Sequence, residues 1–258
     1  MGRKPALPGA TDATRRAAAA RAVLAARLRP GTLGASLAAG FLATFILGTG
    51  LAWLLDGVLE GNGLSSVDKP INQFLAAHRT VWWTTVFTAL TLLGSVAVLA
   101  PLTAALAVLI AVRSHSWRPI WVTVVALGGV QLLVFALKQL VGRPRPAAGL
   151  AAIRATGFSF PSGHSTSSFV ALTVLAWLAM AVVTRPVARI VLWLLAGLLI
   201  VGVGVSRMYL GVHYLTDVLG AWILGATWLS ALLTSFTLAT GGASTGARVR
   251  HISRPPNP

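Results

Sequence analysis

Three short segments of the chain bring together side chains whose types and spacing can do chemistry. The first reads Lys138-Gln-Leu-Val-Gly-Arg-Pro-Arg145-Pro146. Gly142, Pro144 and Pro146 break a helix there, which lets Lys138, Arg143 and Arg145 turn toward one pocket; an ordinary basic loop at the end of an apolar run is the alternative. The second reads Phe160-Pro161-Ser162-Gly163-His164-Ser165. Ser162 suits a helix N-cap, Gly163 permits close backbone approach to a ligand, and His164 can donate a proton. Capping alone also accounts for Ser162, and a lone histidine at a helix end is commonly a surface residue. The third runs from Ser206-Arg207 through His213 to Asp217. Placed at a helix start, His213 and Asp217 occupy one face a turn apart. The carboxylate then takes one imidazole N–H and leaves the other nitrogen free, as a nucleophilic histidine requires. A salt bridge at a helix start is the other reading.

Cations, histidines and one carboxylate in a single cavity suit phosphoryl transfer. One imidazole attacks phosphorus, the other protonates the leaving oxygen, and Lys and Arg compensate the charge on the non-bridging oxygens. The chain has no cysteine, so neither a thiolate nucleophile nor a disulfide is available.

The elements that must position these groups are apolar. Of the 258 residues 56% are hydrophobic and 10% charged, and the mean hydropathy is +0.79, values outside the range of soluble domains. A net charge of +16 would point to nucleic acid in a soluble protein. Here the basic residues sit mostly between apolar runs, as in loops at an anionic membrane surface. The expected fold is all-α, a polytopic membrane protein with a six-transmembrane-helix bundle. Its spans are Leu33–Leu55, about Leu92–Val112, Ile120–Leu137, His164–Val183, Ile190–Val205 and Leu215–Leu238, each near the ~20 residues a crossing needs. The first is too long for a cleaved signal peptide and reads as an anchor. Val67, Ile71, Phe74 and Leu75 predict a short interfacial helix after it. Residues 1–32 form a basic tail, 33–240 the membrane domain, and 241–258 a polar tail expected to be disordered.

With six spans, 14 of the 21 Lys and Arg residues fall on the side of the termini, which places both termini in the cytoplasm. Five of the remaining seven, Lys138, Arg143, Arg145, Arg154 and Arg207, crowd the opposite face, where they imply an anionic ligand. The ends of spans three and five and the starts of spans four and six all meet that face. His78, His115 and His251 fall elsewhere and read as solvated.

Lys138-x6-Arg145-Pro146, Pro161-Ser162-Gly163-His164 and Ser206-Arg207-x5-His213-x3-Asp217 resemble, in order, the three motifs of the type 2 phosphatidic acid phosphatase superfamily. The resemblance implies His213 as nucleophile, Asp217 as its orienting carboxylate and His164 as the acid for the leaving group. It assigns phosphate to Lys138, Arg145, Arg207, Ser162 and the Gly163 N–H. It implies no cofactor and no metal, consistent with the scarcity of carboxylates, Asp217 being the one acid expected at the site. Arg143 and Arg154 lie outside the motifs and are left with at most a second phosphate or a headgroup. The implied partners are the lipid bilayer and a membrane lipid phosphate, not nucleic acid. The implied activity is a metal-independent lipid phosphatase at the plasma membrane, its active site facing the extracytoplasmic side. Undecaprenyl diphosphate is the leading substrate, and phosphatidylglycerophosphate or phosphatidic acid the alternatives. A lipid or anion transporter would use the same cations but needs no nucleophile.

Overall fold

In the computed structural model, residues 30–252 are described, with side chains from 33 to 239. Residues 1–29 of the expected basic tail (1–32) and 253–258 of the expected polar tail (241–258) lie outside the described residues, as does the side chain of His251; residues 241–252, expected to be disordered, continue the last helix as far as Ile252. The elements are α1 (Pro30–Glu60), a 3₁₀ turn (Gly63–Val67), α2 (Asp68–Ala77), α3 (Val81–Leu93), α4 (Val96–Ser114), α5 (Arg118–Val141), a second 3₁₀ turn (Ala148–Leu150), α6 (Gly163–Ala179), α7 (Pro186–Tyr209) and α8 (Leu215–Ile252). No strand occurs among the described residues.

Five helices among the described residues are long and apolar enough to cross a membrane: α1 from Leu33, α4, α5, α7 and α8 to Ala239. The fourth expected span is α6, which at 17 residues is shorter than these and opens on Gly-His-Ser-Thr-Ser-Ser. It is the packing centre, in contact with α4, α5 and α7. Ser165, Thr166, Ser167 and Ser168 are buried. Small hydroxyl side chains let neighbouring helices approach closely. The hydroxyls of Thr166 and Ser168 donate to the carbonyls of Ser162 and Ser165, so the helix satisfies them itself.

Large apolar side chains face outward instead. Phe45, Leu132 and Leu198 are each about 70% exposed, at 71%, 72% and 69%. Water would penalise such a surface, whereas lipid tails solvate it.

The second expected span, about Leu92–Val112, is broken near its start: one helix ends at Leu93 and the next begins at Val96, because Gly94 and Ser95 interrupt the apolar run. A Cβ on Gly94 would come within 2.2 Å of Val203, so glycine is what lets this corner lie against α7. Thr80 caps α3, its hydroxyl accepting from the Trp83 N–H. The helix predicted after the first span appears as α2, with Asp68 and Asn72 buried while Val67 and Phe74 are exposed. Lys69 and Gln73 are exposed as well, and Ile71 and Leu75 are partly buried, Leu75 against the cluster of Tyr209, Leu210 and Val212.

By packing, Thr44–Ser230 form one compact unit, and this unit carries all three motif segments. The outer ends of α1 and α8 belong to a second, in which Gly40 abuts Thr234.

The turn from α7 to α8 passes beneath the loop 147–155. The Ala152 N–H donates to Leu210 O at 2.9 Å, and the Arg79 guanidinium donates to Tyr209 O and Leu150 O. Gly211 has φ +72°, and a Cβ there would stand 2.1 Å from Leu150 O. Both the backbone angle and the carbonyl exclude a side chain. Gly211→Ala is therefore expected to cost about 2 kcal/mol or more. A lowered melting temperature in detergent checks it; an unchanged one removes this turn from the fold's constraints.

Candidate active site

The site grows from the start of α8. Tyr214 precedes the helix and Asp217 lies in its first turn, where Asp217 Oδ2 accepts from the Tyr214 N–H at 2.9 Å. This is the reach-back of a capping box, which satisfies an amide that the helix cannot. The same oxygen lies 3.2 Å from His213 Nδ1. His213 thus sits ahead of the helix rather than on its face, and one carboxylate both caps α8 and orients the imidazole. Because a carboxylate only accepts, Nδ1 carries the proton and Nε2 keeps its lone pair. His213 is 2% exposed and Asp217 0%.

The other carboxylate oxygen faces Arg143. Arg143 Nη1 donates to Asp217 Oδ1 at 2.7 Å and to Thr216 Oγ1 at 2.8 Å, and Nη2 donates to Asp68 Oδ2 at 2.7 Å. Asp68 comes from α2 and also accepts from the Thr216 N–H and hydroxyl. Ser159 Oγ adds a contact to Asp217 Oδ1 at 3.4 Å. Two expectations change here. Asp217 is not the one acid at the site, since Asp68 is equally buried beside it. Arg143 is not a loop charge left for a second phosphate, since its two ends are held by two carboxylates. Arg154 is exposed and takes no part in this network.

Arg145 approaches from the loop after α5. Its Nη1 lies 3.1 Å from His213 Nε2, and its remaining donors go to the carbonyls of Val212, Thr156 and Gly157. Gly142, with φ +60°, ends α5 and turns the chain into this loop. Lys138, in the last turn of α5, donates from Nζ to the carbonyls of Phe158 and Ser159. Arg207, in the last turn of α7, donates to Thr91 Oγ1 at 2.9 Å, and its buried Nε has no hydrogen-bond partner among the described residues. Ser162 caps α6: its Oγ accepts from the Ser165 N–H, its N–H donates to Asp217 O at 3.1 Å, and it is fully buried. Gly163 and His164 follow in the first turn, both half-buried. Helix-start N–H groups favour an anion. One turn further along α6, Ser167 lines an apolar cavity of about 180 Å³ with Leu99, Leu127, Val130 and Ala171.

The electrostatics follow from burial among cations. Burial pushes His213 down, and Arg145 and Arg207 add to this against the opposing pull of Asp217, leaving its pKa at about 4. The imidazole is therefore neutral near pH 7. Burial also lowers Arg145. For Arg143 burial acts in the same direction, but the charges and hydrogen bonds of Asp217 and Asp68 outweigh it and raise its pKa.

The family described as the PAP2 superfamily matches residues 119–240. Phosphatidylglycerophosphatase B of Bacillus subtilis (strain 168) is 32% identical over 176 residues, covering 67% of this chain and 84% of that protein. The chain belongs to the PAP2 superfamily. The crystal structure of the first transmembrane PAP2 type phosphatidylglycerolphosphate phosphatase, also from Bacillus subtilis, superposes with a TM-score of 0.67 at 29% identity. It covers 75% of this chain and 95% of that one. An undecaprenyl-diphosphatase of Sulfolobus acidocaldarius (strain ATCC 33909 / DSM 639 / JCM 8929 / NBRC 15157 / NCIMB 11770) is 38% identical over 77 residues, 30% of this chain and 32% of that protein. As a PAP2 chain this is a multi-pass membrane protein and a lipid phosphatase.

All the residues expected from the three motifs gather at one end of this PAP2 bundle. Asp68, Thr91, Ser159 and Thr216 were not read from the sequence. The signal for Asp68 was present: it is one of five acids in a strongly basic chain, at the start of an amphipathic helix.

The depressed His213 fixes a sign. Between pH about 6.5 and about 4 the unfolded chain takes up a proton that the folded site refuses, so this histidine makes stability fall as pH falls. Thermal melts in detergent from pH 7 down to about 4.5 should show a shallower loss for His213→Asn than for the parent chain; equal slopes would place the imidazole in contact with water.

Proposed function

We propose that this PAP2 phosphatase releases phosphate from a lipid phosphate ester through a phosphohistidine on His213, with phosphatidylglycerophosphate as the leading substrate. The observation that carries the mechanism is the His213 ring itself. Nδ1 is committed to Asp217 and Nε2 faces the Arg145 guanidinium 3.1 Å away. When an anion enters, Arg145 turns its donor to a phosphoryl oxygen and the Nε2 lone pair is released toward phosphorus. The N–P bond forms as the bond from phosphorus to the leaving oxygen breaks, and His164 gives that oxygen its proton. Water then attacks phosphorus with His164 taking the proton, the N–P bond breaks, and inorganic phosphate leaves. The developing charge is met by Lys138, Arg145, Arg207 and the Gly163 N–H, with Ser162 holding the turn that presents it. The unpartnered Nε of buried Arg207 supports an anion at this place.

Phosphatidylglycerophosphate takes precedence over undecaprenyl diphosphate for two reasons. The relative named for the former matches over most of its length, and that named for the latter over a third. Moreover, Arg143, the cation expected to hold a second phosphate, is consumed by Asp68 and Asp217. The apolar cavity beside Ser167 supports a lipid tail lying against α4, α5 and α6. The basic residues concentrated on the side of the termini support cytoplasmic termini and an extracytoplasmic mouth.

Purified protein in detergent should release phosphate from phosphatidylglycerophosphate in excess EDTA, faster than from undecaprenyl diphosphate or phosphatidic acid. A strict requirement for Mg²⁺ would sink the mechanism, and a reversed substrate order the choice of lipid. His213→Ala should abolish turnover, and Asp217→Asn should slow it by orders of magnitude; turnover near the parent rate in His213→Ala eliminates the nucleophile.

A further inference from the structure

Arg143 and Asp68 lie outside the three motif patterns, yet they are tied to the reacting histidine through its carboxylate. Arg143 reaches Asp217 with Nη1 and Asp68 with Nη2, both at 2.7 Å, and its plane lies over the Tyr214 ring with Cζ 4.3 Å from the centroid. Its side chain is 13% exposed, and those of Asp68 and Asp217 are 1% and 0% exposed. Thr216 closes the ring, donating to Asp68 from N–H and hydroxyl while its hydroxyl accepts from Arg143. Asn72, one turn after Asp68 on α2, donates to His213 O at 3.4 Å.

Removing these charges from water is costly, and a single salt bridge to Asp217 would have sufficed to pair its charge. Arg143 instead sits between two acids, so its positive charge is shared and its position is fixed from the far side. Consequently Asp217 Oδ1 cannot swing, and Oδ2 stays on His213 Nδ1 and the Tyr214 N–H. The charge sum matters as well. Arg143 with Asp68 is neutral, which leaves the Asp217 charge free to stabilise the imidazolium-like character that His213 acquires as it bonds to phosphorus.

We propose that Arg143 and Asp68 are positioning residues for the phosphatase reaction, an ion-paired strut from the interfacial helix α2 that holds the Asp217 carboxylate against His213. The strut rests on the reading of His213 as nucleophile and deepens it. The groups facing His213 are Asp217 from α8, Arg145 from the loop after α5, Arg207 from α7 and the Asn72 amide from α2. Lys138 from α5 and His164 from α6 face the same cations. Arg143 and Asp68 touch neither His213 nor the place of the substrate, so they act through Asp217.

The strut makes a charge-specific prediction. Arg143→Met leaves two acids uncompensated and should lower kcat about 10- to 100-fold with KM little changed. The added negative charge should also move the acid limb of kcat/KM upward by about one pH unit. Asp68→Asn keeps the shape and leaves Arg143 pulling on Asp217 alone; kcat should fall with KM unchanged and the acid limb not raised. The pair Asp68→Asn with Arg143→Met restores neutrality and should be faster than Arg143→Met by itself. A merely structural link gives the reverse pattern: melting temperatures fall, the double variant is no better than the single, and the acid limb stays in place. That pattern, or parent kcat in either single variant, overturns the strut. If Arg143→Met does not yield monodisperse protein, Asp68→Asn decides: reduced kcat at parent melting temperature supports the strut, and parent kcat at reduced melting temperature overturns it. His213→Ala measured alongside separates the two readings. If it is inactive while both strut variants turn over normally, only the strut fails; if it is active, the nucleophile itself is wrong.

Discussion

The carboxylate of Asp217 is fully buried, and its two oxygens are met by the Tyr214 N–H, the imidazole of His213, the guanidinium of Arg143 and the hydroxyl of Ser159. A carboxylate without such partners could not stay ionised in the interior. Each partner comes from a different demand. Tyr214 needs its amide satisfied where α8 begins, His213 needs its tautomer fixed, and Arg143 needs a counter-ion. Ser159 in turn fastens the loop before α6 through Arg143 O and Pro144 O. Removing this one charge would loosen a helix start, the His213 ring and the loop that carries Arg145.

Around this hub the physics of the bilayer governs the packing. Lipid offers no advantage for burying leucine, so close contact and internal hydrogen bonds must hold the helices together. The centre of the bundle is accordingly α6, with four consecutive buried hydroxyl residues, and glycines where helices meet. Gly204 and Gly225 give way to Trp222 and Phe169 respectively, while phenylalanines and leucines face outward. The helix that carries Asp68 and Asn72 turns these two residues toward the site, where Asp68 meets Arg143 and Thr216 and the Asn72 amide donates to His213 O.

The cations gathered at the site differ in how firmly they are committed to their partners. Arg143 is spent on two carboxylates. Lys138 and most of Arg145 rest on backbone carbonyls, which are neutral and can be exchanged for phosphoryl oxygens at modest loss. Arg207 keeps an unpartnered nitrogen. In the proposed reaction, ligand binding draws on the weakly committed donors and leaves the strongly committed one in place. This division explains how a pocket so rich in positive charge keeps its shape before substrate arrives.

Much of this was legible in the chain itself. Apolar runs near the length of a bilayer determined the all-helical membrane fold, and helix breakers at Gly142, Pro144 and Pro161 determined where the chemistry could gather, because both signals are local. The alternation of the expected spans put the three motif segments together, and the spacing of His213 and Asp217 announced their pairing. Span ends were less legible: Gly94 and Ser95 divide a run that reads as continuous, and α6 is shorter than its apolar tail implied, since those limits depend on what each helix packs against. Only the tertiary structure decided the partners of Arg143, which by sequence is one more cation in a basic loop, and of Asp68, which is separated from Arg143 by seventy-five positions. A local pattern can say that a charge exists, but which opposite charge meets it is set by the path of the chain between them.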